Sequence, residues 1–100
     1  LTPPSEPIRR TATIVNERGL HARAAAKFVK LVEGFDVTLT VERGGMSVGG
    51  LSIMGLMMFG AGPGTELLLT ATGPDAEIAM MALADLIARG FDEDISFIVG

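Results

Sequence analysis

"HARAAAKFVKLVEGFDVTLTVERG" (residues 21–44) changes its apolar period half-way along, and that change decides the fold. Up to residue 33, Ala25, Phe28, Val29 and Val32 recur at intervals of three and four, while Lys27, Lys30 and Glu33 take the other side. This is the spacing of a helix with one buried face, and Gly34 supplies its stop. From Phe35 the period falls to two: Phe35, Val37, Leu39 and Val41 alternate with Asp36, Thr38 and Thr40, as in a half-buried strand rich in β-branched residues. "ERGG" (residues 42–45) then turns the chain back into the short "MSV", so a hairpin follows the helix.

The pattern extends outward on both sides. Upstream, "IRRTATIV" (residues 8–15) alternates Ile8, Arg10, Ala12 and Ile14 against Arg9, Thr11, Thr13 and Val15, which predicts a strand, and "NERG" (residues 16–19) is turn chemistry. Downstream, "SIMGLMMF" (residues 52–59) predicts a short helix with Ser52 as N-cap, ended by "GAGPG". "TELLLTA" (residues 65–71) reads as a strand. In the last helix Pro74 stands near the start, Asp75 and Glu77 in the first turn, Arg89 in the last, and Gly90 beyond it, with Ala79, Ala82, Leu83 and Leu86 on one face. The order βαββαβα predicts an α+β fold with helices on one face of a sheet. Residues 1–7 read as a disordered leader, residues 8–90 as the domain, and residues 91–100 as a C-terminal tail in which Ile95, Phe97 and Val99 alternate as in an extra strand.

Composition narrows the function. A chain of 100 residues has room for one core. Without cysteine there is neither a disulfide framework nor a thiolate metal site, and one histidine argues against an imidazole site, so no metal and no cofactor are expected. A reducing cytoplasm is the expected location. No apolar run approaches the roughly 20 residues of a membrane helix, so no membrane insertion is expected. Net charge is −4, but Arg18, Arg23, Lys27 and Lys30, half of the eight bases, lie in one stretch without an acid, whereas Arg89 is the only base after residue 43. A local positive field on an acidic protein argues for a phosphate or an acidic partner surface there, and against general nucleic-acid binding.

That field surrounds the only histidine, His21, at the expected start of the first helix. The first N–H groups of a helix lack internal partners and carry the positive end of its dipole, so an anion is stabilised there. A neutral imidazole nitrogen near neutral pH can accept a phosphoryl group and pass it on. Gly19 permits a close approach of the chain, Ala22 leaves room around the ring, and Arg23 offers a planar guanidinium for phosphoryl oxygens. A hydrolase using His21 as base needs a nucleophile or an orienting carboxylate, and none stands beside it in sequence, Glu17 being the nearest acid. Two readings therefore remain: a phosphoryl carrier, or a histidine that merely caps a helix.

"GLHARAAA" (residues 19–26) resembles the active-site motif of HPr, the histidine-containing phosphocarrier of the bacterial phosphoenolpyruvate-dependent phosphotransferase system, and "LSIMGLMMFG" (residues 51–60) resembles its second motif. The resemblance covers roughly residues 8–90. It implies an open-faced β-sandwich, a four-stranded antiparallel sheet covered on one side by three helices. It further implies that His21 takes a phosphoryl group at Nδ1 from Enzyme I and gives it to an EIIA-type protein, with Arg23 and the backbone N–H groups of Ala22 and Arg23 holding the phosphate. Ala24 stands where the common motif has proline, which removes a fixed φ in the first turn. Ser52 aligns with the serine that HPr kinase/phosphorylase modifies in some bacteria; an N-cap role alone also accounts for it, and Leu51 stands where a basic residue is usual. Leu20, Ile53, Met54 and Met57 are assigned to partner docking, which suits adaptable methionines, while Met58 is expected in the core. A regulatory binding module controlled through Ser52 is the alternative function. Nothing in the residues separates the sugar-transport branch from the nitrogen-related branch.

Overall fold

The computed structural model of the chain describes residues 6–93. Its elements are β1 (Ile8–Thr13), α1 (Ala22–Glu33), β2 (Thr38–Arg43), β3 (Met46–Gly49), α2 (Ile53–Met58), β4 (Glu66–Thr72) and α3 (Ala76–Ala88), followed by a single 3-10 turn at Gly90–Asp92. The βαββαβα order is the one expected from the periodicities. The four strands form one sheet in the order β1-β4-β2-β3 with every pair antiparallel, so the sheet's two central strands come from opposite halves of the chain. Arg43 pairs with Met46, which leaves Gly44 and Gly45 as a two-residue turn; both have positive φ, the conformation such tight hairpins require.

The core forms between one face of the sheet and the helices. Ala12, Ile14, Leu39, Val41, Leu67, Leu69 and Ala71 supply the sheet side, and Ala24, Ala25, Phe28 and Val32 of α1 with Ala76, Met80, Leu83, Leu86 and Ile87 of α3 the helix side. Full burial of each large side chain contributes roughly 1.5–3 kcal/mol. Arg9, Thr11, Thr13 and Thr38 alternate with the buried strand residues and stay exposed, as expected for a sheet covered on one face only.

Three departures from the periodic reading have physical causes. The strand after α1 begins at Thr38 rather than Phe35, because the Phe35 amide still bonds the Val32 carbonyl (3.1 Å) and the Asp36 amide donates to the Asp75 carboxylate (2.8 Å). Met58, expected in the core, is 70% exposed: the six-residue α2 buries Leu56, and Phe59 three positions on, and Met58 falls on the opposite side. Finally, residues assigned to a tail beyond Gly90 still belong to the packed structure as far as Glu93, with Phe91 wholly buried. The alternating stretch at Ile95, Phe97 and Val99 lies outside the described residues, as does the leader up to residue 5.

Candidate functional site

His21 is the N-cap of α1, in extended conformation (φ −78°, ψ −179°), and its carbonyl accepts the first helical hydrogen bond from the Ala25 amide at 2.8 Å. Its side chain caps nothing. Among the described residues the amides of Ala22, Arg23 and Ala24 have no protein acceptor, and the first helical turn carries no acid. Of these residues Ala22 and Arg23 are exposed and Ala24 is buried, so among the described residues the helix end beside the ring offers chiefly the first two of these donors. Arg23 is exposed and makes no ion pair among the described residues, so its guanidinium is available to an anion there.

The loop ahead of His21 is fixed by contact with a second loop. Gly19 has φ +67°, and a Cβ on it would lie 2.2 Å from the Ala61 carbonyl oxygen, to which the Leu20 amide donates at 2.8 Å. The close approach that Gly19 permits is therefore to the backbone around Ala61. Leu20, assigned to docking, is only 4% exposed and packs into the core, so its side chain anchors the loop instead. Ile53, Met54 and Met57 are exposed, joined by Leu51 and Met58, and Met57 lines a shallow cleft with Arg18, Leu20 and His21. Of these exposed residues, Met57 stands beside the imidazole. Ser52 is exposed at the start of α2, and its Oγ accepts from the Gly55 amide at 3.0 Å, which is the capping role expected of it.

The folded chain also brings in two residues that sequence reasoning missed. The Glu93 carboxylate, 72 positions away, hydrogen-bonds the Nε2 of His21, and both side chains are largely buried. Asn16, wholly buried, donates through Nδ2 to the Gly19 carbonyl and to Glu93 Oε1, each at 2.8 Å. Both partners can only accept, so the amide orientation is fixed, and Asn16 Oδ1 has no partner among the described residues. Desolvation disfavours the charged form of Glu93, but hydrogen bonds from Asn16 and His21 and the charges of His21 and Arg18 outweigh it and hold the carboxyl below its usual range. The only warning in the sequence was Phe91, a lone aromatic just past a helix stop. No cluster of three metal-ligating side chains occurs among the described residues.

Comparison with known proteins bears on the family and the fold. Residues 8–89 match the family described as "PTS HPr component phosphorylation site". The chain is 45% identical over 86 residues to the phosphocarrier protein HPr of Cupriavidus necator, covering 86% of this chain and 97% of that protein. It is 38% identical over 86 residues to the phosphocarrier protein NPr of Shewanella violacea, covering 86% and 94%. Among solved structures, HPr-C-His from Thermoanaerobacter tengcongensis superposes with a TM-score of 0.83 at 41% identity, over 88% of this chain and 99% of that one.

Proposed function

The chain belongs to the HPr family of bacterial phosphocarrier proteins, and on that premise we propose that His21 is its phosphoryl acceptor, taking the group at Nδ1 from phospho-Enzyme I and giving it to an EIIA-type protein. The observation that carries this reading is the imidazole at the N-cap of α1, beside three amides with no acceptor among the described residues. A phosphoryl group on that ring gains hydrogen bonds and the favourable end of the helix dipole without displacing a protein contact. Arg23 supplies the countercharge from the first turn. As a carrier, the protein is the substrate of its partners' chemistry, and its own contribution is a nucleophile in a preformed anion site.

Ile53, Met54 and Met57 form the surface on which Enzyme I and the EIIA protein dock in turn. Methionine suits such a surface because its unbranched, polarizable side chain adapts to several partners. The relay operates in the cytoplasm. A second reading, a binding module regulated by HPr kinase/phosphorylase at Ser52, is supported by the exposure of Ser52 next to this patch. Phosphorylation there would set a charge of about −2 beside the docking residues and repel an acidic partner.

The test is phosphorus NMR of the protein with Enzyme I, Mg²⁺ and phosphoenolpyruvate, next to His21→Ala. A phosphohistidine signal in the parent, absent in the variant and discharged by an EIIA protein, is the expected result. No signal from an Enzyme I that charges another carrier removes the reading.

A further inference from the structure

A carboxylate bound to the nitrogen opposite the expected acceptor asks for an explanation, and so does the backbone that delivers it. Phe91 (φ 56°) and Asp92 (φ 62°) are consecutive residues in the left-handed region, a conformation that side-chain-bearing residues avoid and that persists only where the surroundings enforce it. Three contacts enforce it here. The Phe91 ring is wholly buried, Lys27 Nζ donates to the Phe91 carbonyl at 2.8 Å, and Arg89 Nε donates to Asp92 Oδ1 at 2.9 Å. The product of this strained reversal is Glu93, with one carboxylate oxygen on Asn16 and the other on His21.

We propose that Glu93 is a positioning residue for phosphoryl transfer: by accepting the Nε2 proton of His21 it fixes the ring's tautomer and plane and leaves Nδ1 as the nitrogen with the free lone pair. This rests on the carrier reading and deepens it. The hydrogen bond at one ring nitrogen sets which form the other takes, and Nδ1 has no partner among the described residues. In the transfer the Nδ1 lone pair forms the new N–P bond while the P–N bond of the donor's phosphohistidine breaks and its electron pair returns to the donor ring. Nε2 keeps its proton throughout. The phosphorylated ring then carries a delocalised positive charge facing the Glu93 carboxylate, and donation to the acceptor reverses the step. Glu93 neither gains nor loses a proton, which separates its role from that of a general base. Asn16 holds the second carboxylate oxygen, so the loop before α1 and the turn after α3 are tied together at the reacting ring.

The experiment uses the full chain and two variants, Glu93→Ala and the isosteric Glu93→Gln, whose retained fold is checked by amide NMR. Two signals are read: the 15N and proton resonances of the His21 ring, and the initial rate and ring position of phosphorylation by Enzyme I and phosphoenolpyruvate, followed by phosphorus NMR. The parent should show a protected Nε2 proton and phosphorylation at Nδ1. In Glu93→Ala that proton should exchange with solvent, and the rate should fall about tenfold or more, as for other partners that orient a reactive imidazole. Glu93→Gln, which keeps an acceptor, should fall between the two. A folded Glu93→Ala protein phosphorylated at Nδ1 at the parent rate overturns the proposal while leaving the carrier reading intact. A parent that an active Enzyme I does not phosphorylate overturns the carrier reading, and this proposal with it, whatever the ring resonances show.

Discussion

At the scale of single residues the site is a set of constraints around one imidazole. His21 is held from behind by Glu93 and faces the open end of α1, and Arg23 is the one cation of the first helical turn. If Arg23 holds the phosphoryl group through charge-assisted hydrogen bonds worth about 1.5–3 kcal/mol, Arg23→Ala should slow phosphorylation roughly tenfold to a hundredfold, with unchanged thermal stability; equal rates in a stopped-flow transfer assay would exclude that role. Gly19 matters for a different reason. A methyl there meets the Ala61 carbonyl oxygen and must adopt φ +67°, so Gly19→Ala should cost about 2–4 kcal/mol of folding stability, measured as a lowered urea midpoint with an unchanged slope. An alanine variant as stable as the parent would mean that the loops at residues 19 and 61 can separate freely.

Elements carry the next set of consequences. The α2 helix has six residues and no charge; Leu56 fastens it to the core, and Ser52 Oγ on the Gly55 amide is its side-chain cap. Ser52→Ala should cost about 1 kcal/mol, whereas Ser52→Asp keeps a capping acceptor and should stay near parental stability; chemical denaturation separates the two. The turn after α3 is held chiefly by Phe91. Phe91→Ala should destabilise the fold by about 3–5 kcal/mol and release Glu93, so the His21 Nε2 proton should lose its protection even under conditions where the variant is still folded. Persistence of that protected proton would show that Asn16 alone can seat the carboxylate.

For the whole molecule, the ionisation of Glu93 couples the site to folding. Its carboxyl titrates lower in the folded chain than in the unfolded one. The stability it contributes is therefore fully present above the unfolded value of about 4.3 and is lost as pH falls through the folded value, because the unfolded state then binds more protons. Acid denaturation of Glu93→Gln should accordingly show a shallower loss of stability below about pH 4.3 than the parent; identical curves would place the acid sensitivity elsewhere. The charge map changes at this scale too. The basic stretch from Arg18 to Lys30 contains no acid in sequence, yet in the fold Lys27 is committed to the Phe91 carbonyl and Arg18 acts on Glu93. The Glu93 carboxylate at His21 thus offsets part of the positive charge that the count of bases suggests there.

Local rules sufficed for the elements and for His21 itself. The switch from a period near 3.6 to a period of two after residue 34, the capping Ser52 and the Gly44-Gly45 turn are short-range features, and short-range sterics and hydrogen bonding decide them. Because the N-cap of a helix is also local, the imidazole at the start of α1 was legible, and so was the exposure of Ile53, Met54 and Met57. Six residues of α2 do not fix which side faces inward, so Met58, expected in the core, lies outside, while Leu20 of the loop before α1, assigned to docking, lies in the core. What only the tertiary structure decided is the partnership of Asn16, His21 and Glu93. No periodicity encodes a contact across 72 residues, since it depends on where α3 ends against α1 and on a strained reversal that Phe91 stabilises by burial. The sequence by itself determined the fold and the place of the one imidazole at a helix start, and the packing of Glu93 against His21 determined which ring nitrogen is held.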